Sequence, residues 1–220
     1  MFRAAAFAVP ILLVVFVVLY AAAAVAYPGG TWEEPQRSGH SFFFNYYCDL
    51  MRPTALNGQP NPVGSQLAEL GQLVLALSFG PFFWVAPALF DGRPKLTAAV
   101  RALGLVACVA GVGVVLMPSW RFGQTVHGIM LLLCGFPAVA ALVCVMVGTW
   151  QVPTLRALAA ALVVTMLATI GIFVRQMIIG VESSPGLAPL QRIDFALALG
   201  WMATTSRRAE RARRAGSAAL

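Results

Sequence analysis

The segment "GHSFFFNYYCDLM", residues 39–51, carries polar side chains at a spacing that suits a binding or catalytic site. Ser41, Asn45 and Asp49 follow one another at intervals of four residues, with five aromatic residues among them. If the segment forms a short helix, the three polar side chains share one face and the aromatic rings surround the rest. The pattern therefore predicts a polar stripe that an aromatic surround holds in place.

A histidine and a second carboxylate are candidates for the same site. His127 paired with Asp49 or with Glu69 would form a general base and the carboxylate that orients it. A metal site built from these groups and His40 lacks regular ligand spacing, so we predict no metal and no cofactor. The two histidines exclude a three-histidine hydrolase, and the chain has neither a GxSxG nucleophile motif nor a phosphate-binding glycine loop. Whether the site catalyses a reaction stays open.

The cysteines predict no chemistry of their own. Three of the four, Cys108, Cys134 and Cys144, lie in apolar runs, where a thiol usually behaves as a small hydrophobe. Cys48 alone lies in a polar segment, so we expect no disulfide within the loop.

The elements that must position these residues are membrane helices. The chain is 60% hydrophobic and 10% charged, whereas soluble domains carry about 45–50% apolar and about 25% charged residues. Several apolar runs reach the ~20 residues that a transmembrane helix needs. We predict an all-α, polytopic membrane helical bundle with six transmembrane helices in one domain, residues 1–206, at about 5–27, 64–90, 97–117, 127–149, 155–180 and 187–205. The Arg-rich tail, residues 207–220, is expected to be disordered.

The basic residues predict the orientation of this bundle. With the N-terminus in the cytoplasm, ten of the fifteen basic residues lie on the cytoplasmic side and five on the other. Five of the ten form the cluster "RRAERARR" in the tail, which reads as a topology anchor rather than a nucleic-acid site. We therefore predict a multi-pass protein of the inner (plasma) membrane with both termini in the cytoplasm.

In this orientation the polar and ionisable residues in and next to the apolar runs converge on the outer side. The loop of residues 28–63 is long for a plain connection, and its aromatic rings favour a structured loop folded onto the rim of the bundle. An ionisable residue at membrane depth costs about 2.5–3.5 kcal/mol, so several at one level usually face one another or a water-filled cavity. We predict an outward-facing polar pocket whose ligand-binding residues are Ser41, Asn45, Arg175, Gln191 and Arg192. The arginines suit phosphate or carboxylate.

Three short motifs, "YPGGTW", "GHSFFFNYYCDL" and "NGQPNP", resemble a bacterial six-span membrane family catalogued as domain of unknown function 998. In this chain Cys48 stands where that family has a small hydroxyl residue, and Met51 stands where it has glycine. More distant six-span relatives of the FRAG and DRAM type are linked to lipid remodelling and membrane trafficking, and the resemblance implies no particular reaction. It implies six helices and an outer polar site formed by Ser41, Asn45, Asp49, His127, Gln191 and Arg192.

These patterns favour a protein that binds a lipid headgroup in a pocket facing the outer leaflet. Modification of that headgroup is an extension of the same hypothesis. Membrane lipids are then the partners. A small-solute transporter is one alternative, although the chain shows no internal repeat or paired broken helices of the kind transporters use. Another is a subunit or assembly factor that docks a protein partner, or a second copy of itself, through the aromatic loop.

Overall fold

The computed structural model describes residues 2–90, 92–181, 183–184 and 186–218, the last three by their backbone alone. This part of the chain contains helices and no β-strand. In chain order the helices are α1 (Phe2–Ala26), α2 (Tyr47–Leu50), α3 (Pro62–Val85, followed by a 3-10 turn, Ala86–Leu89), α4 (Pro94–Leu116), α5 (Ser119–Gly148), α6 (Pro153–Ile179) and α7 (Leu187–Ala218).

Proline and glycine mark the helix ends. Pro62, Pro94 and Pro153 each begin a helix, where the missing N–H costs nothing. Gly180 ends α6 in the left-handed conformation, which glycine adopts without strain. Five segments are long and apolar enough to cross a membrane, and they confirm five predicted spans to within a few residues: Phe2–Ala26, Pro62–Leu89, Pro94–Leu116, Gln124–Gly148 and Pro153–Ile179.

The segment predicted as a sixth span is helical but differs from the other five. α7 begins at Leu187, yet it is not among the helices apolar enough to cross a membrane, because charged residues enter its first turns and arginines fill its second half. The prediction of a disordered tail is wrong, since α7 continues to Ala218. An exposed ion pair between Glu210 and Arg214, one turn apart, supports this extension. Residues 219 and 220 of the predicted tail lie outside the described residues.

The long helices close into a ring. Each packs against the next in the chain, and α7 packs against α1. Large side chains fill the centre, where the rings of Phe82 on α3 and Trp201 on α7 lie 4.9 Å apart in an apolar cluster that also includes Phe16 on α1. A Cβ atom at Gly104 would lie 2.4 Å from the side chain of Phe83, so α3 and α4 approach as closely as glycine permits.

One end of this ring carries the connection between α1 and α3, residues 27–61. We call it the loop end. Because successive spans alternate in direction, α1, α4 and α6 end there and α3, α5 and α7 begin there. Charge asymmetry predicts that this end is extracytoplasmic.

The predicted short helix over residues 41–49 is wrong. Residues 42–44 form a turn, and only Tyr47–Leu50 is helical. The loop is instead held by isolated β-bridges, Gly29 to Ser38 and Thr54 to Pro60. An apolar cluster that includes Leu50, Met51 and Ala55 packs against α1 and α3. Contacts with the helices, rather than local helical periodicity, determine how this loop folds.

Candidate functional site

Ser41, Asn45 and Asp49 converge around the buried amide of Asn45. The Oδ1 atom of Asn45 accepts a hydrogen bond from the backbone N–H of Ser41 at 2.8 Å. Its Nδ2 atom donates to the carbonyl of Gly30 at 2.8 Å and to the carboxylate of Asp49 at 3.5 Å. The predicted grouping therefore exists in space, although a turn produces it and not a helix face. Asn45 joins the first half of the loop to the second.

Asp49 is only 3% exposed, and both of its carboxylate oxygens have donors. Oδ1 accepts from the indole of Trp32 at 3.2 Å, and Oδ2 accepts from the backbone N–H of Tyr46 at 2.7 Å. Burial raises the pKa of this carboxyl group to about 6, although the hydrogen bonds and the nearby charge of Arg52 act in the opposite direction. Asp49 thus positions Trp32 and the start of α2.

Arg192, near the start of α7, attaches the loop to the bundle. It is 7% exposed, and its Nε and Nη2 atoms donate to the carbonyls of Phe42 and Asn45 at 3.2 and 2.5 Å. Its guanidinium carbon lies 4.3 Å from the ring centre of Tyr47 and 5.5 Å from that of Tyr20. Within the described residues it forms no salt bridge, so carbonyl oxygens and aromatic faces balance its charge. This is the environment of a structural residue.

A cavity of about 280 Å³ opens beside this network at the loop end. Its wall comes from the loop, α5, α6 and α7, through Trp32, Tyr46, Cys48, Asp49, Arg52, Ser119, Trp120, Gly123, Gln124, His127, Leu131, Phe173, Gln176, Leu187 and Gln191. A second cavity of about 210 Å³ lies between α5 and α6. The two adjoin, because both are lined by Gln124, Phe173 and Gln176.

The sequence-predicted residues fall into three groups around these cavities. Those that line the first cavity are Asp49, His127 and Gln191. Those that are buried in the hydrogen-bond network of the loop, without lining a cavity, are Ser41, Asn45 and Arg192. Those that line neither cavity are the half-buried Glu69 and the exposed Arg175. The structure therefore brings together only part of the predicted pocket.

The cavity wall includes polar side chains that the predicted site lacks, and Gln176 and Arg52 are two of them. Gln176 is 4% exposed and lines both cavities, and its side-chain amide has no hydrogen-bond partner among the described residues. Arg52 lines the first cavity with its guanidinium 5.7 Å from the ring centre of Trp32, and its buried Nε atom has no partner there either. In the sequence, the feature that indicates Gln176 is its position beside Arg175 in an apolar run. One residue along a helix turns the side chain by about 100°, which separates the exposed arginine from the buried glutamine.

Cys48 contacts His127 across the cavity wall. The Cys48 Sγ atom lies 3.2 Å from His127 Nε2, and His127 Nδ1 lies 3.0 Å from the carbonyl oxygen of Met117. A carbonyl accepts only, so the network assigns the ring proton to Nδ1 and leaves Nε2 to accept the thiol proton. Burial, with the charge of Asp49 as a second cause, raises the pKa of the Cys48 thiol to about 12. The residue from which we expected no chemistry thus contacts the predicted base.

A break at the start of α5 sets the position of His127. Gly123 has φ = 84° and ψ = 159°, a conformation that a side chain would strain. The chain therefore makes one helical turn from Ser119, changes direction at Gly123, and begins its long helix at Gln124. His127 lies on the first turn of that helix and is buried against the loop.

The wall of the cavity combines donors for anionic oxygen with a histidine that can accept a proton. Arg52 and the three glutamines can donate to phosphate or carboxylate. Within the described part of the chain, no group of three histidine, cysteine or acidic side chains is placed to hold a metal ion. No family model, curated protein or solved structure matches the chain. Its resemblance to domain of unknown function 998 stays a prediction.

Proposed function

We propose that the loop-end cavity binds the phosphate-containing headgroup of a membrane lipid. The observation that carries this proposal is the junction of the first cavity with a second cavity between α5 and α6, next to exposed apolar side chains at the end of α6. Met177 and Val181 line that second cavity, and the neighbouring Ile178 is 79% exposed. An amphiphile can place its headgroup in the first cavity while its chains remain along these apolar side chains.

The residues of the wall fit a phosphate group. Arg52 supplies the positive charge, and arginine binds phosphate with two parallel hydrogen bonds. The unpartnered amide of Gln176 faces the same space. Asp49 leaves the Arg52 guanidinium available to phosphate, because both of the Asp49 carboxylate oxygens already accept hydrogen bonds from the loop. In this proposal Arg52 takes the place that the sequence suggested for Arg175 and Arg192.

The size of the cavities is consistent with a headgroup rather than a whole lipid. Sites for small molecules usually measure about 300–1,000 Å³, and the two adjoining cavities, about 280 and 210 Å³, reach that range only together. In this proposal the first part of α7 completes a sixth span. Both termini then lie in the cytoplasm and the cavity faces the outer leaflet.

Native mass spectrometry of the purified protein with defined phospholipids tests the proposal. We expect Arg52→Gln to reduce lipid retention roughly tenfold to a hundredfold, because a charge-assisted hydrogen bond contributes about 1.5–3 kcal/mol and 1.4 kcal/mol corresponds to a factor of ten. The matched control is Arg175→Gln, which removes an exposed arginine at the same end of the bundle. Equal retention by both variants and the unaltered protein would contradict the assignment of Arg52.

A competition experiment separates a lipid from a soluble anion. Glycerol phosphate and inorganic phosphate share the headgroup chemistry and lack the chains, so neither should displace a bound phospholipid at millimolar concentration. Displacement by either would point to a soluble ligand and favour a transporter. A protein that carries no lipid and co-purifies with a second protein would favour the docking alternative.

A further inference from the structure

Cys48 and His127 form a thiol–imidazole pair that headgroup binding does not require. The two atoms of the pair, Sγ and Nε2, are 3.2 Å apart, and both residues line the first cavity. The His127 ring is fixed from behind by the Met117 carbonyl, 3.0 Å from Nδ1. A nucleophile, an adjacent base and a group that orients the base are the components of covalent catalysis.

The unpartnered amide of Gln176 is a second, independent feature of the same space. Its residue is 4% exposed, and its amide finds no hydrogen-bond partner among the described residues. Because this amide lines both cavities, it can donate to and accept from a molecule bound there. An amide N–H at the wall can donate to a carbonyl oxygen that gains negative charge.

We propose that Cys48 is a nucleophile that accepts an acyl group from an ester of the lipid bound in this cavity. This inference rests on the proposed function, because the headgroup held near Arg52 is what brings an ester linkage to the cavity wall. The ester bonds of a phospholipid lie between the headgroup and the chains. They therefore come near the junction of the two cavities, where Gln176 lies.

The chemical step balances without another reagent. The Cys48 sulfur attacks the ester carbonyl carbon while its proton passes to His127 Nε2, and a C–S bond forms. The C–O bond then breaks, and the leaving alkoxide takes the proton from His127 Nε2. The products are a thioester on Cys48 and a lipid with one free hydroxyl. Water or a second hydroxyl compound releases the acyl group in the same way, with His127 again as base and then acid.

The reaction starts from a neutral Cys48 thiol. Burial keeps the pKa of Cys48 high, so the resting side chain is a neutral thiol and not a thiolate. The proton leaves only when a carbonyl carbon is within reach and His127 can accept it. The resting pair is thereby protected from alkylation and oxidation, which require the thiolate.

The activated ester p-nitrophenyl butyrate is the probe for this step. With the purified protein in detergent we expect a burst of about one p-nitrophenolate per protein molecule. An acyl adduct should then be found on the Cys48 peptide, and neutral hydroxylamine should remove it. His127→Gln should slow the burst by about 10²–10⁴-fold, the usual contribution of a general base. Cys108→Ala, which changes a cysteine on α4, should leave the burst intact.

The variants at Cys48 decide the outcome. Cys48→Ala should abolish both burst and adduct. Cys48→Ser should change any adduct from a hydroxylamine-sensitive thioester to a resistant oxygen ester, and it reports on folding because it keeps a donor to His127. A burst that survives Cys48→Ala overturns the inference. The absence of a burst from a protein that still retains lipid, and loses it in Arg52→Gln, overturns acyl transfer and leaves headgroup binding in place.

Discussion

Replacement of Arg192 by methionine should detach the loop from the bundle and lower the free energy of unfolding by about 2–4 kcal/mol. Its two hydrogen bonds to backbone carbonyls contribute about 1.5–3 kcal/mol each when the donor is charged. The aromatic faces of Tyr20, Phe42 and Tyr47 add about 0.5–2 kcal/mol each. Methionine recovers part of this sum, because it fills the space and removes a buried cation that is costly to desolvate.

Two assays follow the effect. Tryptophan fluorescence, from the five tryptophans, reports thermal unfolding in detergent. A midpoint lower by roughly 5–15 °C corresponds to the expected change, since 1 kcal/mol shifts the midpoint by about 2–4 °C in chains of this size. Limited proteolysis should cut Arg192→Met between residues 30 and 61 at temperatures where the unaltered loop resists. Arg175→Met is the matched control and should stay within about 0.5 kcal/mol, because its side chain is exposed.

The reasoning would be refuted if Arg192→Met unfolds at the temperature of the control and its loop resists protease. The buried cation would then contribute nothing net. Arg192→Lys adds a finer test, since an ammonium group cannot reproduce the geometry of two carbonyls and three rings. We expect it to restore less than half of the loss.

Two further predictions concern pH and packing. Because the folded-state pKa of Asp49 is raised from 3.8 to about 6, its contribution to stability is greatest below about pH 4 and is lost as pH rises through about 6. The fall in unfolding midpoint between pH 4 and 7 should therefore be smaller in Asp49→Asn, measured by the same fluorescence assay, and parallel curves would contradict the assignment. Gly104→Ala should cost about 1–3 kcal/mol through overlap with Phe83. Gly171→Ala, where a Cβ meets nothing within 4 Å, should not destabilise, and equal losses in the two variants would argue against close α3–α4 packing.

Five membrane helices are predictable from the sequence because their signals are local. Each is an apolar run of sufficient length, and Pro62, Pro94 and Pro153 mark three of the starts. α7 is less predictable, since its charged residues are stabilised by contacts that its own sequence does not show. Asp194, for example, accepts a hydrogen bond from Thr169 on α6.

In the loop, a spacing of four residues does not correspond to a helix. Ser41, Asn45 and Asp49 recur every four residues, which is also the spacing of a helix face. The turn at residues 42–44 leaves three phenylalanines exposed. Exposure of these rings is unfavourable, so local sequence preferences alone do not predict this turn. What compensates it is the binding of Phe42 and Asn45 by Arg192, from a position about 150 residues away.

The sequence predicts where the candidate site lies better than it predicts which residues form it. Polar residues at one level of the bundle indicated the cavity, and His127, Asp49 and Gln191 do line it. Charge alone favoured Arg175 over Gln176, whereas the direction of each side chain on α6 decides which one is buried. Cys48 gives no signal in the sequence, because its partner, His127, is 79 residues away in the chain and comes beside it only in the fold.

The contact between Arg192 and the loop also has a consequence for biosynthesis. The carbonyls that Arg192 binds belong to residues that leave the ribosome early, and Arg192 follows them by 147 and 150 positions. Until α7 is synthesised and packed, the loop lacks the cation over Tyr47 and the part of the cavity wall that Gln191 contributes. Contacts between such distant residues form late, because a long chain segment must first be ordered. The cavity is therefore completed only when α7 packs against the loop, and a chain truncated before α7 would keep the five long apolar helices but lack part of the cavity wall.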